Sequence, residues 1–259
     1  MNVFHLSAPQ VETWFFEWLR ISSMLFVFPI FSGPQITIQL RLGLGLLLSF
    51  VIYHLVPVAN ISPGLFDLAM GGVCQVVLGL IVGYIASLVF AGVQFAGELI
   101  DLQIGFAVAN VLNPTTQQQV TIIGEFQLAI ATLVFLATDS HYFLIQGIAG
   151  SFNLVPLPYI SLDPSVAGNI VLFFTQTFLI VFKIAAPTVF ALFIANVAMA
   201  FMAKVAPQMN VFVVGLPIQV SVGLIMMAIS IPLLGTVGPD LFQTIAQQMD
   251  ATMRGLAVH

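Results

Sequence analysis

The chain has 259 residues, of which only 6% are charged while 60% are hydrophobic, and five Lys and Arg stand against ten Asp and Glu for a formal charge of −5. A soluble domain carries about a quarter charged residues, so a surface this poor in charge, with a mean hydropathy of +1.11, must face lipid or other apolar chains. Nucleic acid is excluded as a partner because phosphate binding needs clustered Lys and Arg, and the single Cys74 excludes an internal disulfide and any Cys-based metal cage.

A length of 259 residues suits about five to seven spanning helices of roughly 20 apolar residues each. Met1 to Gln10 has no basic region and no small-residue cleavage site, so insertion is expected to begin with the first helix and not with a cleaved signal. That first apolar run is Val11 to Phe31, ended by Pro29 and Ser32-Gly33-Pro34. The second is Ile36 to Val56, stopped by Pro57 and followed by a polar turn over Asn60 to Gly64. The third, Leu65 to Ala96, is too long for a perpendicular span and is studded with glycines that permit close helix packing. Cys74 lies in it and reads as an inert core residue. The fourth run, Val120 to Ala137, is just long enough to span.

Val166 to Lys204 exceeds a hydrocarbon core of about 30 Å. It is either two helices or one long helix kinked at Pro187, which removes a helix hydrogen bond. The last run, Val211 to Leu234, carries Pro217 and Pro232. The whole reads as one all-α unit of irregular, kinked helices.

Glu98 to Gln119 fits neither a span nor a water loop. Glu98 and Asp101 lie three apart on one helical face. Gly105 to Leu112 is mostly apolar and uncharged, Asn113-Pro114 signals a turn, and Gln117-Gln118-Gln119 adds uncharged hydrogen-bonding groups. Lipid cannot satisfy irregular backbone, so the stretch is either a surface loop or a re-entrant obstruction lining a pathway. An apolar obstruction suits a seal that blocks water and ions by dewetting.

Glu98, Asp101, Glu125, Lys183 and Lys204 lie in or beside apolar runs, where a charge needs a partner or a cavity. They read as ion pairs fixing subunit register, or alternatively as relay, ion-site or gate-lining charges. Arg20 follows Glu17 by three residues and is expected to pair with it on one helix face. No HExxH, no phosphate-cradling glycine loop and no clustered His set is present, and Asp139-Ser140-His141 reads as a helix start with Asp139 or Ser140 as cap. No catalytic, metal or cofactor site is expected.

Several segments in order carry a resemblance. They are Arg20 to Met24 followed by Phe28-Pro29-Ile30-Phe31, then Arg41-Leu42-Gly43, and Ala91-Gly92-Val93-Gln94-Phe95-Ala96-Gly97-Glu98 running on to Gly105-Phe106-Ala107 and Asn113-Pro114. Ser140-His141-Tyr142 follows, and then Ala206-Pro207-Gln208-Met209-Asn210-Val211-Phe212-Val213-Val214-Gly215-Leu216-Pro217. Together they resemble the FliR family of the flagellar type III export apparatus and its virulence-secretion counterparts, with Ser140 where the family has Gly. The resemblance implies a non-enzymatic subunit of the bacterial inner membrane and flagellar basal body that closes a ring of FliP and FliQ homologues. FlhA and FlhB homologues and unfolded export substrates are implied as further partners.

It also implies a FliP-like part over residues 1–163 fused to a FliQ-like part over 164–259, with a boundary near Asp163. The FliQ-like hairpin is Val166 to Leu234, turning at Pro207, Gln208, Asn210 and Phe212. A pore plug falls on about residues 105–119, with Gly105, Phe106, Ala107, Val108, Asn110, Leu112, Asn113 and Pro114. Members of the family bury much of their apolar length against protein above the bilayer plane. The rival reading, from the residues alone, is an ion or solute transporter coupling through Glu98, Asp101 and Glu125 beside broken helices.

Overall fold

A computed structural model describes residues 7–58, 64–105, 121–158, 165–208 and 210–256. The described residues are helical, in chain order α1 (Ala8–Val27), α2 (Pro29–Ser32), α3 (Ile38–Ile52) with a 3₁₀ turn at Tyr53–Leu55, α4 (Leu65–Ile104), α5 (Ile122–Ala137), α6 (His141–Leu154), α7 (Ser165–Val205) and α8 (Val211–Leu256). The all-α expectation holds. The ambiguous run is one helix, α7, continuing through Pro187. α8 runs 22 residues beyond Leu234, through Pro217, Pro232 and Pro239.

Among the described residues, four stretches are long and apolar enough to cross a membrane: Ile38–Leu55, Leu65–Ile104, Val166–Val205 and Val213–Pro232, with a fifth only if α5 and α6 count as one broken span. Five to seven spans were expected, and α1 is the main difference. It holds Glu12, Glu17 and Arg20 within 20 residues, so among the described residues the first stretch long and apolar enough to span is Ile38–Leu55. The most apolar window of α4 is 56% buried by the chain itself, against 17%, 29% and 22% for the other three. α4 is thus a packing core, while the others leave most of their apolar surface to be covered from outside.

The chain divides into two compact units that are not successive in sequence. One comprises Met1–Val89, Ser140–Phe174 and Phe242–His259, the other Phe90–Asp139 and Thr175–Leu241. The boundary expected near Asp163 lies outside the described residues.

In the first unit the core is built from Phe16, Ile21, Met24 and Leu25 of α1, Leu78 and Ile85 of α4, Phe152 of α6, and Met249 and Met253 of α8. α1 ends where Phe28 turns extended, because Pro29 disfavours a helical conformation before it. α1 and α4 meet backbone to backbone: a Cβ on Gly79 would strike the Arg20 carbonyl, and one on Gly83 would lie 2.7 Å from the Met24 carbonyl oxygen. Cys74 is half-buried and free, less enclosed than a core cysteine.

In the second unit Ile100 and Ile104 of α4, Ile123 of α5, Leu192 of α7 and Met227 of α8 form one buried cluster. Ala96, Val181 and Ala185 form another. Phe90 packs edge-on against Phe135 at 5.4 Å between ring centroids, a favoured aromatic geometry. α7 ends at Val205 and α8 begins at Val211, with Pro207 and Gln208 in a turn between them, Asn210 exposed and Phe212 in the first turn of α8.

Candidate functional site

Of the predicted plug residues, Gly105 is described, and Phe106, Ala107, Val108, Asn110, Leu112, Asn113 and Pro114 lie outside the described residues. What is visible is how the chain is held on either side of them. α4 continues past Glu98 and Asp101 to Ile104, and Gly105 then takes a positive φ of 89°, a conformation that only glycine adopts without strain.

Sixteen residues later α5 begins after Thr121, which makes no side-chain cap. The cap comes from α4. The Asp101 carboxylate accepts the backbone N–H of Ile123 at 3.0 Å and 3.2 Å and that of Gly124 at 3.4 Å. The first amides of any helix lack internal partners, and a carboxylate there also meets the positive end of the helix dipole.

Two further contacts continue this face of α4. One turn before Asp101, Gly97 meets Gly124 so closely that a Cβ on Gly97 would lie 2.5 Å from the Gly124 Cα. Before that, the Gln94 amide donates to the Glu125 carboxylate at 3.1 Å. Residues 94, 97 and 101 share one helical face. They form a clasp between the end of α4 and the start of α5.

Beside the clasp runs a chain of uncharged amides. Gln219 of α8 donates to Asn196 of α7, and Asn196 donates to Gln103 of α4 at 3.5 Å. The Gln219 side-chain oxygen also lies 3.6 Å from where a Cβ on Gly105 would stand. An apolar hollow of about 230 Å³ borders Gln103, lined by Leu99, Leu102, Phe182, Ala185, Ala186 and Val189.

The five predicted charge-contact residues are not gathered into one site. Asp101 is buried, Glu98 is half-buried, and Glu125, Lys183 and Lys204 are exposed on this chain. Asp101 is spent on backbone amides and Glu125 on Gln94, so the carboxylates expected for coupled transport do not converge on one cavity among the described residues. α6 starts at His141, directly after Asp139-Ser140, as expected. Ser140 occupies the cap position with helical dihedrals and makes no side-chain cap bond, and Asp139 has a φ of 53°.

The expected Glu17–Arg20 pair is replaced by something larger. Arg20 is fully buried. It donates to the Gln75 side-chain oxygen at 2.8 Å, the Ser151 hydroxyl at 3.2 Å and the Val155 carbonyl at 3.0 Å, and lies 4.2 Å over the Phe152 ring. Gln75 in turn donates to the Pro158 carbonyl. The sequence reading did not single out Gln75, Ser151, Asn196 or Gln219; the one signal available was a lone amide or hydroxyl inside an otherwise apolar helix. A test of the clasp is Asp101→Ala, expected to cost about 2–3 kcal/mol by orphaning buried amides, with Asp101→Asn costing about 1 kcal/mol because one acceptor remains. Unfolding midpoints of the detergent-solubilised chain measure both.

The comparisons accord with this architecture. The model of the family "Bacterial export proteins, family 1" matches residues 11–245. The flagellar biosynthetic protein FliR of Bacillus subtilis is 32% identical over 242 residues, covering 89% of this chain and 90% of the relative. FliR of Aquifex aeolicus is 34% identical over 231 residues, with 88% of each covered. FliR of Escherichia coli is 27% identical over 239 residues, covering 91% and 90%. A helical, charge-poor chain of export-apparatus type, matched nearly end to end, is a member of bacterial export protein family 1, the family of FliR.

Proposed function

We propose that this chain is a subunit of the flagellar type III protein-export gate in the bacterial inner membrane, where it completes a ring with FliP and FliQ homologues and helps seal the pore through which unfolded proteins leave. The observation that carries the reading is the family match over residues 11–245 together with curated FliR relatives aligned over about nine-tenths of their length. The apolar surface supports it. Phe182, Phe190, Phe193 and Phe201 of α7 are each more than half exposed on the isolated chain, an arrangement that asks for cover by lipid or sister subunits.

In this reading residues 1–163 are the FliP-like part and 164–259 the FliQ-like part, with α7 and α8 as its hairpin. Residues 105–119 are the plug, and the clasp anchors its two ends. Glu98, Lys183 and Lys204 lie at subunit contacts, and FlhA and FlhB homologues are neighbours. An apolar, uncharged plug excludes ions by withholding groups that could replace their hydration. Covalent chemistry is absent from this role.

Shortening residues 105–119 while keeping Gly105 and Thr121 is expected to raise the resting ion conductance of the reconstituted complex at least several-fold. The shortened chain should still co-purify with FliP and FliQ homologues. Unchanged conductance with normal co-purification rejects the plug, and failure of the intact chain to co-purify rejects the gate.

A further inference from the structure

The first unit holds a carboxyl group that nothing described above uses. Glu17 sits in the middle of α1, fully buried, and both of its side-chain oxygens lack a hydrogen-bond partner. The neighbouring polar network of α1, α4 and α6 is already committed. Arg20 donates from Nε, Nη1 and Nη2 to Gln75, Ser151 and Val155. The Gln75 amide donates to Pro158, and the Ser151 hydroxyl donates to Ile148. The network closes on itself and leaves Glu17 outside.

An ionised carboxylate with no donor, shut away from water, is the costliest state available to such a group. The neutral acid removes most of that cost. Two titratable groups face it: Arg20, one turn along the same helix, and Tyr53 from the turn that follows α3. To this cluster α4 contributes the uncharged Gln75 and α6 the uncharged Ser151.

We propose that Glu17 is a proton-binding residue, held as a neutral carboxylic acid while α1 is packed and losing its proton to water only when that packing opens. The unit is therefore latched by a proton and loosens as the medium turns alkaline. Burial is the dominant effect: it pushes the Glu17 carboxyl up to about 8, with the Arg20 cation opposing the rise. Burial also lowers the Arg20 guanidinium to about 9, which leaves it charged at neutral pH.

The sign follows from linkage. The packed state holds a proton that the opened state, with an ordinary carboxylate, releases. The stabilising contribution is complete below the ordinary value of 4.5 and is lost as pH rises through about 8. Between about pH 7 and pH 9 the opening equilibrium should shift about tenfold toward the open form.

The experiment is infrared spectroscopy of the full chain in detergent, with glutamate carbon-13-labelled at its side-chain carboxyl. Labelling separates the four Glu from the six Asp, and Glu17 is the one fully buried Glu. A carboxylic-acid C=O band present at neutral pH and lost above about pH 9 is expected in the wild-type chain. It should be missing in Glu17→Gln, whose unfolding midpoint should no longer fall as pH rises.

Only a carboxylate band at neutral pH, or an acid band that persists in Glu17→Gln, overturns the proposal. So does a wild-type midpoint that climbs with pH, the behaviour of an ionised pair. If Glu17→Gln does not fold, the labelled wild-type titration still decides.

Discussion

Arg20→Ala should destabilise the first unit by about 3–5 kcal/mol, enough to abolish a marginally stable fold. Three contributions add. The buried Val155 carbonyl and Gln75 side-chain oxygen each lose a charged donor, at 3.0 Å and 2.8 Å. The stacking of the guanidinium 4.2 Å over Phe152 is lost, worth about 1–2 kcal/mol when desolvated. A cavity replaces one of the largest fully buried side chains of the described residues.

Arg20→Lys separates shape from charge. A lysine keeps the cation but cannot place three donors in the directions of a planar fork, so about half the loss should remain. Thermal midpoints and protease resistance of the purified chain measure both variants. Equal stability of Arg20→Ala and wild type would show that the network around Gln75 and Ser151 contributes nothing.

Gly97→Val is expected to break the clasp, at a cost of about 3 kcal/mol or more. The Cβ would enter at 2.5 Å from Gly124 Cα and 2.6 Å from Gly124 N. These are backbone atoms and cannot rotate aside as a side chain could. α4 and α5 would have to separate, taking with them the Asp101 bonds to Ile123 and Gly124.

Cysteines at Gln94 and Glu125, whose side chains touch in the native chain, give a direct readout, with Cys74 first replaced by Ser. Crosslinking by a short bis-thiol reagent, which spans the gap the two longer side chains fill, should be efficient in that background and fall sharply when Gly97→Val is added. Gly97→Ala should lower it less. Undiminished crosslinking with Gly97→Val would mean that the glycine contact does not hold the two helices together.

Both effects depend on partners remote in sequence, and this marks how much could be read in advance. The pairing of Arg20 with Glu17 was the natural inference from i, i+3 spacing. It failed because the guanidinium reaches past its own helix to residues 55, 131 and 135 positions away. Asp101 stood out as a charge in an apolar neighbourhood. Its role as the cap of another helix could not be foreseen, since a cap is normally sought immediately before the helix it serves.

The break between α7 and α8 was legible because a proline and polar residues interrupt two apolar runs. The continuity of α7 through Pro187 and of α8 through three prolines was not. A proline permits a kinked helix or a break, and tertiary packing chooses between them.

Composition alone settled that the surface is apolar and that the elements are helices, because each backbone amide must find its partner within its own segment when neither water nor a neighbouring strand is at hand. Ordered motifs along the chain pointed to the family. Only the folded chain decided which apolar faces are consumed internally, as along α4, and which polar side chains are shut inside. Hydropathy measures how much a residue avoids water. It carries no information on which of several equally dry neighbours covers it, and that choice is made by backbone proximity at positions such as Gly79 and Gly97.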